Sequence, residues 1–265
     1  MCLQVSRKRF DQLGERELTA WLGLFPADAL SASLFMHREF CRAAHQTLSP
    51  VEVVVMEDGG CLVGVVPLHR ATGWRGLLRG YTQVAQDVSD GFCFPAEDAY
   101  LEGVADALAR AGVWSGFFTH VGMGRPIRHC EVGVVTKTYL IRHQPGEQDL
   151  WNTLKERSRR FWSDTERCAR RLNELPDAYQ FHWKSPNLAR DLDTLIRLKL
   201  DQYARTGKEG AALYQASLQA FLKVLASSET EDFSAPLSVL YCGDKLIAAH
   251  FGLLGGGRLH YWFPV

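Results

Sequence analysis

The chain has no excess charge of either sign: 30 Lys and Arg against 30 Asp and Glu leave a formal net charge of zero. That excludes a protein basic overall, as many nucleic-acid binders are, and an acidic tail protein, but not a local charged patch. None of the seven cysteines (Cys2, Cys41, Cys61, Cys93, Cys130, Cys168, Cys242) forms a C-x-x-C pair. Neither a zinc knuckle nor a thioredoxin-like redox site is readable, and no metal is expected. Scattered single cysteines fit a reducing compartment. The polar, basic start Met1–Phe10 lacks a signal-peptide core, and no apolar run is long enough to span a bilayer. A cytoplasmic, soluble protein without membrane insertion is the expectation. Also missing are a G-x-S-x-G elbow, a P-loop, an H-E-x-x-H helix and a Rossmann fingerprint. Gly255-Gly256-Gly257 sits between two strand-like runs and reads as a turn.

What is present is ordinary globular material: 265 residues, 46% apolar and 23% charged, enough for one large domain or two compact ones. Residues 28–48 place Leu30, Leu34, Phe35, Phe40 and Cys41 at near-helical spacing. Two strand-like runs follow, Val51–Met56 and Leu62–Leu68, joined by the turn Glu57-Asp58-Gly59-Gly60. Ala99–Ala111 then reads as a helix, Val113–His120 as a strand and Glu131–Ile141 as a second β run.

The second half repeats this plan. Ala211–Ser227 is helical, Leu237–Tyr241 and Leu246–Leu253 are strands, and Gly243-Asp244 is the turn between them. A shift of 184 residues lays one hairpin on the other without a gap, Val55 on Val239, Gly59 on Gly243 and Val63 on Ile247. Any two apolar hairpins resemble each other somewhat, but the matching upstream helix favours a duplicated unit.

Between the halves, Asp149–Leu175 predicts one amphipathic helix, with Trp151, Leu154, Phe161, Trp162 and Leu172 on its apolar side. Over Lys155–Leu172, seven Lys and Arg face Glu156, Asp164 and Glu166, a local excess of +4. A solvated surface face is one reading; the other is an anion site built on Arg159, Arg160, Arg167 and Arg170, whose planar guanidinium forks suit phosphate oxygens. The next helix, Asn187–Gly207, carries Lys199, Gln202, Tyr203 and Arg205 on its last turns. Cations there complement the helix dipole, or else the cluster borders a substrate cleft. His250 interrupts an apolar strand, and His260 and Tyr261 lie on the next. A strand histidine is ordinarily a hydrogen-bonded core residue, and a general base only if it faces a cleft.

The segments Glu57–Leu68, Val88-Ser89-Asp90, Lys155–Leu172, Leu198–Gly207, Ser238–Leu253 and Leu259–Pro264, in this order, resemble tandem GNAT acyltransferases. The resemblance is to the CelD/BcsL-like branch of cellulose and exopolysaccharide biosynthesis, distantly similar to FemABX peptidyltransferases. It implies an α/β fold (mixed α+β) of two tandem GNAT-like domains, each a mostly antiparallel sheet flanked by helices. The units would be residues 1–145 and 146–265, the second opening on the basic helix 149–175 and incomplete at its C-terminal end. The implied activity moves an acyl group from acetyl-CoA or another acyl-CoA to an amine or hydroxyl of an envelope polysaccharide or its precursor. In such a fold two strands splay and the pantetheine lies between them. The usual pyrophosphate signature is missing, Arg70-x-x-Gly73 only beginning it. His250 and Tyr261 are the acid/base candidates, and Lys199, Gln202, Arg205 and Asp90 the substrate-binding ones. A small-molecule or polysaccharide-precursor acceptor is expected, DNA is not, tRNA is disfavoured, and a homodimer completing the C-terminal sheet is the protein partner. The alternative is a catalytically degenerate GNAT-like module that binds an anionic polymer or a polysaccharide-synthase partner through its basic helix.

Overall fold

The computed structural model describes residues 3–25, 33–72, 80–121, 150–208 and 211–265. Glu131–Ile141 and Gly73, read above as a strand and as part of a phosphate signature, lie outside them.

The first sheet has the order β1 (Gln4–Arg9), β2 (Glu52–Asp58), β3 (Cys61–Arg70), β4 (Tyr81–Gln83) and β5 (Gly116–Phe117). All its pairs are antiparallel except β4 with β5. Val53, Val54, Val55 and Met56 are consecutive and all buried, so β2 is covered on both faces. Gly59 and Gly60 form a two-residue turn at φ +57° and +77°, a region that disfavours side chains. Helices α1 (Glu15–Gly23), α2 (Arg38–Thr47) and α3 (Val104–Arg110) complete this half.

The second sheet has the order β6 (Tyr179–His182), β7 (Leu237–Cys242), β8 (Lys245–Gly255) and β9 (Arg258–Pro264), antiparallel throughout. It carries α6 (Leu188–Arg205) and α7 (Ala216–Ala226). Asp191, buried in the first turn of α6, accepts from Ser185 Oγ at 2.5 Å, Arg190 Nε at 3.1 Å and the Tyr241 hydroxyl. That network ties α6 to β7.

The repeat seen in the sequence is a structural one. Each half runs strand, helix, 3₁₀ turn, helix, then a hairpin, the 3₁₀ turns being Leu34–Met36 and Ala212–Tyr214. The hairpin register shifts between Met56 and Glu57 in one sheet and between Leu240 and Tyr241 in the other, 184 positions later. A bulge at the matching position of both hairpins adds a backbone feature to their likeness in sequence. Helices α2 and α7, the equivalent pair, pack on each other, with Phe40 and Phe221 edge-to-face at 5.1 Å. The buried side chains of both sheets form one continuous apolar cluster.

Three expected elements differ. The helix over Asp149–Leu175 is divided into α4 (Leu150–Arg157) and α5 (Arg159–Asn173), because the Ser158 hydroxyl accepts from Phe161 N–H at 3.4 Å and caps a new start. Ala99–Ala111 begins as a 3₁₀ turn, Asp98–Gly103, and is α-helical only from Val104. The strand over Val113–His120 shrinks to Gly116–Phe117, since the Gln83 side chain takes over the next pairing position.

Candidate functional site

The loop after β4 is held down from three directions. Gln83, fully buried, donates from Nε2 to Ser89 Oγ at 2.8 Å and accepts from Thr119 N–H at 2.7 Å. Its amide therefore joins the segments that follow β4 and β5. From the other half, the Trp262 indole N–H donates to the Val88 carbonyl at 2.7 Å. Trp262 in turn lies 5.3 Å from Phe35 and 6.0 Å from both Phe40 and Phe251.

The segments after β4 and β5 also hold strain. Ala85 (φ +51°) and His120 (φ +54°) are the non-glycine residues with positive φ among those described. Such conformations cost of order 1–3 kcal/mol and gather at functional sites, which makes this junction the natural place to look.

Asp90 ends the loop. It is exposed, yet the protein near its carboxyl raises its pKa, with His120 opposing. Tyr203, on α6, is raised by burial and then by the charge of Asp90. Lys199 Nζ donates to the Pro264 carbonyl at 2.8 Å and lies 5.5 Å from the Tyr203 ring centroid, with Lys208 Nζ at 5.9 Å on the same ring. Burial and then Lys208 lower the pKa of Lys199. A carboxylate made more basic, and an ammonium made more acidic beside a phenol that feels the carboxylate's charge, are groups suited to binding a polar acceptor and moving its proton.

Of the residues singled out by sequence, Lys199 lies against the Tyr203 ring, whose phenol also feels the charge of Asp90. Gln202 and Arg205, on the same helix, point to solvent. His250 and Tyr261 lie on β8 and β9, their rings stacked at 4.1 Å, with Tyr261 70% exposed. The bulge between Phe251 and Gly252 turns Trp262 N–H off the strand ladder, and His250 Nε2 accepts it at 3.1 Å. Burial lowers the His250 pKa. In this arrangement its Nε2 lone pair holds β9 and is not open to a substrate proton. Arg159, Arg160, Arg167 and Arg170 all lie on α5 and are exposed. They form no hydrogen bond or ion pair with the Asp90 cluster.

The sequence reading missed His120, Lys208 and Gln83. His120 and Lys208 sit in irregular segments, and Gln83 in a three-residue strand, where periodicity carries no signal. A cavity of about 260 Å³ opens beside this junction, lined from both halves by His69, Thr82, Val88, Ala212 and Leu218 among others.

Residues 157–265 match the family model of an acetyltransferase (GNAT) domain. No curated protein and no solved structure matches the chain. A GNAT domain in the C-terminal region supports acyl transfer in general, and such domains typically use acetyl-CoA as co-substrate. Among the described residues no cluster of three or more His, Cys, Asp or Glu could hold a metal ion, and no helix is long and apolar enough to cross a membrane.

Proposed function

We propose that the chain transfers an acyl group from acyl-CoA to an amine or hydroxyl of an envelope polysaccharide or its precursor, in the cytoplasm. The GNAT match over residues 157–265 carries the reading, and the perturbed cluster at the junction supports it. Asp90 takes the proton of the attacking amine or hydroxyl. Tyr203 and Lys199 hold the acceptor and meet negative charge as it develops on the carbonyl oxygen. His250 keeps the β9 bulge in shape, and the two repeated units, 1–145 and 146–265, form the junction together.

Acyl-CoA supplies the activated thioester. The fit is unequal in the two halves. In the first, the Gln83 side chain bonds Ser89 and Thr119 N–H beside β4 and β5, and we place the co-substrate with the second, where the GNAT match lies. Calorimetry with acetyl-CoA, followed by thioester-cleavage assays over a panel of sugars and amines, tests this. Micromolar to millimolar CoA binding with acceptor-dependent cleavage is expected; absence of CoA binding overturns the enzyme reading.

One observation favours a second reading. In the first half the Gln83 side chain ties together the segments after β4 and β5, which we read as closing that half to a co-substrate. If the other half had done likewise, the chain would be a non-catalytic module binding an anionic polymer or a polysaccharide-synthase partner.

A further inference from the structure

Helix α5 divides its chemistry cleanly by side. At 100° per residue, Phe161, Trp162, Thr165, Cys168, Ala169 and Leu172 fall on one arc, and Arg159, Arg160, Arg167, Arg170 and Arg171 on the opposite one. A segregated helix of a globular protein normally turns its apolar arc to the core. This one does not: none of its residues is buried, Phe161 is 45% exposed and Cys168 is exposed. Trp162 is covered only locally, by the Trp151 ring at 6.2 Å, the Lys155 ammonium at 5.2 Å from its ring and its own N–H bond to Glu166 at 2.7 Å.

The basic side is equally unpartnered. Arg167 pairs with Asp164 at 2.9 Å, but Arg159, Arg160, Arg170 and Arg171 make no ion pair or hydrogen bond with any described residue. Four open guanidinium groups on one arc call for a partner with many anionic groups spread over a surface. A soluble polyanion would meet that demand but would leave Phe161 and Leu172 in water. An anionic bilayer surface meets both at once, with phosphates at the depth of the arginines and acyl chains just beneath for the aromatic arc.

We propose that α5 docks this protein on an anionic phospholipid surface. The helix lies in the plane of the interface, with Phe161, Trp162 and Leu172 below the headgroups and Arg159, Arg160, Arg170 and Arg171 on lipid phosphates. The binding is peripheral and does not depend on acyl transfer.

Co-sedimentation of the full chain with vesicles tests it, comparing phosphatidylcholine alone with phosphatidylcholine containing about a third phosphatidylglycerol. The expected result is at least about tenfold stronger partition onto the anionic vesicles, falling steeply between about 0.1 M and 0.5 M salt. Replacing the four arginines with Gln, or Phe161 and Leu172 with Ser, should each remove at least about tenfold. All six positions avoid the buried core, and circular dichroism with a melting curve checks that each variant folds. Equal binding to neutral vesicles, or binding to neither kind, overturns the proposal. So does an unchanged affinity in the Phe161/Leu172 variant. If soluble polyglutamate is bound instead, and only the arginine variant loses it, the partner is an anionic polymer and the proposal fails. None of these outcomes bears on the thioester assay, which tests the acyl-transfer reading separately.

Discussion

The indole N–H of Trp262, on the last strand, donates to the carbonyl of Val88, in the loop that follows the fourth strand. One hydrogen bond thus joins a strand of the second sheet to the loop that carries Asp90. Trp262→Phe keeps an aromatic ring but removes the donor and part of the ring volume. The expected cost is about 1–3 kcal/mol, read as a melting temperature lowered by several degrees. Because the loop is then released at Val88, acceptor KM should rise in the same variant.

Gly252 makes room for the ring that holds the bulge. A Cβ there would stand 2.7 Å from His250 Cε1 and 2.7 Å from the His260 carbonyl oxygen. Gly252→Ala should therefore push His250 away from Trp262 N–H and destabilise the fold by about 1–3 kcal/mol. His250→Gln, which supplies another acceptor, should cost less than His250→Ala. Denaturant unfolding of the three variants orders them.

Two buried histidines set the acid limit of the fold. Burial lowers His37 to about 4 against the opposing charge of Asp232, and lowers His69 to about 4 against the opposing Ser49 carbonyl. Unfolded, both rings take protons near 6.5, so acid feeds the unfolded state first. Stability should be flat above pH 6.5 and fall between 6.5 and 4, by about 3 kcal/mol per ring at the lower end. His37→Asn, which preserves the cap on α2, and His69→Gln should each flatten the profile measured by urea unfolding at several pH values.

If Asp90 takes the acceptor proton, Asp90→Asn should lower kcat by about 10²–10⁴ with little loss of stability. In the native chain the acidic limb of kcat/KM should lie above that of an ordinary aspartate, in the direction that the protein around the exposed Asp90 moves it, and the variant should lose that limb. Lys199→Met should raise acceptor KM and leave CoA binding intact.

Separately expressed halves, 1–145 and 146–265, should fail to fold alone. Phe40 of one half meets Phe221 of the other at 5.1 Å inside an apolar cluster that spans both sheets. Co-expressed, the halves should associate, and size-exclusion chromatography with circular dichroism distinguishes the outcomes.

The hairpins were legible because two signals coincide in them, strand-length apolar runs and glycine-bearing turns at Gly59-Gly60 and Gly243-Asp244. Their internal repeat was legible too, since a constant shift of 184 survives in the register of both bulges. The break at Ser158 was not, because serine is tolerated inside a helix and only the hydrogen bond to Phe161 N–H reveals it as a cap. The short β5 was hidden for a different reason: a side chain from β4, Gln83, does what strand backbone would have done. The candidate site was half legible. Lys199 and Tyr203 share a helix face by spacing alone, but their approach to Asp90 depends on how the two halves dock, which no local pattern encodes.

The contact between α2 and α7 joins equivalent helices of two repeated units. That is the contact a two-fold axis makes between identical subunits, so the chain holds in one covalent piece what two copies of a single unit would otherwise build. Covalent fusion frees the copies from having to be identical. Each copy can then take on side chains that the other lacks, an asymmetry that a symmetric dimer of one gene product cannot reach.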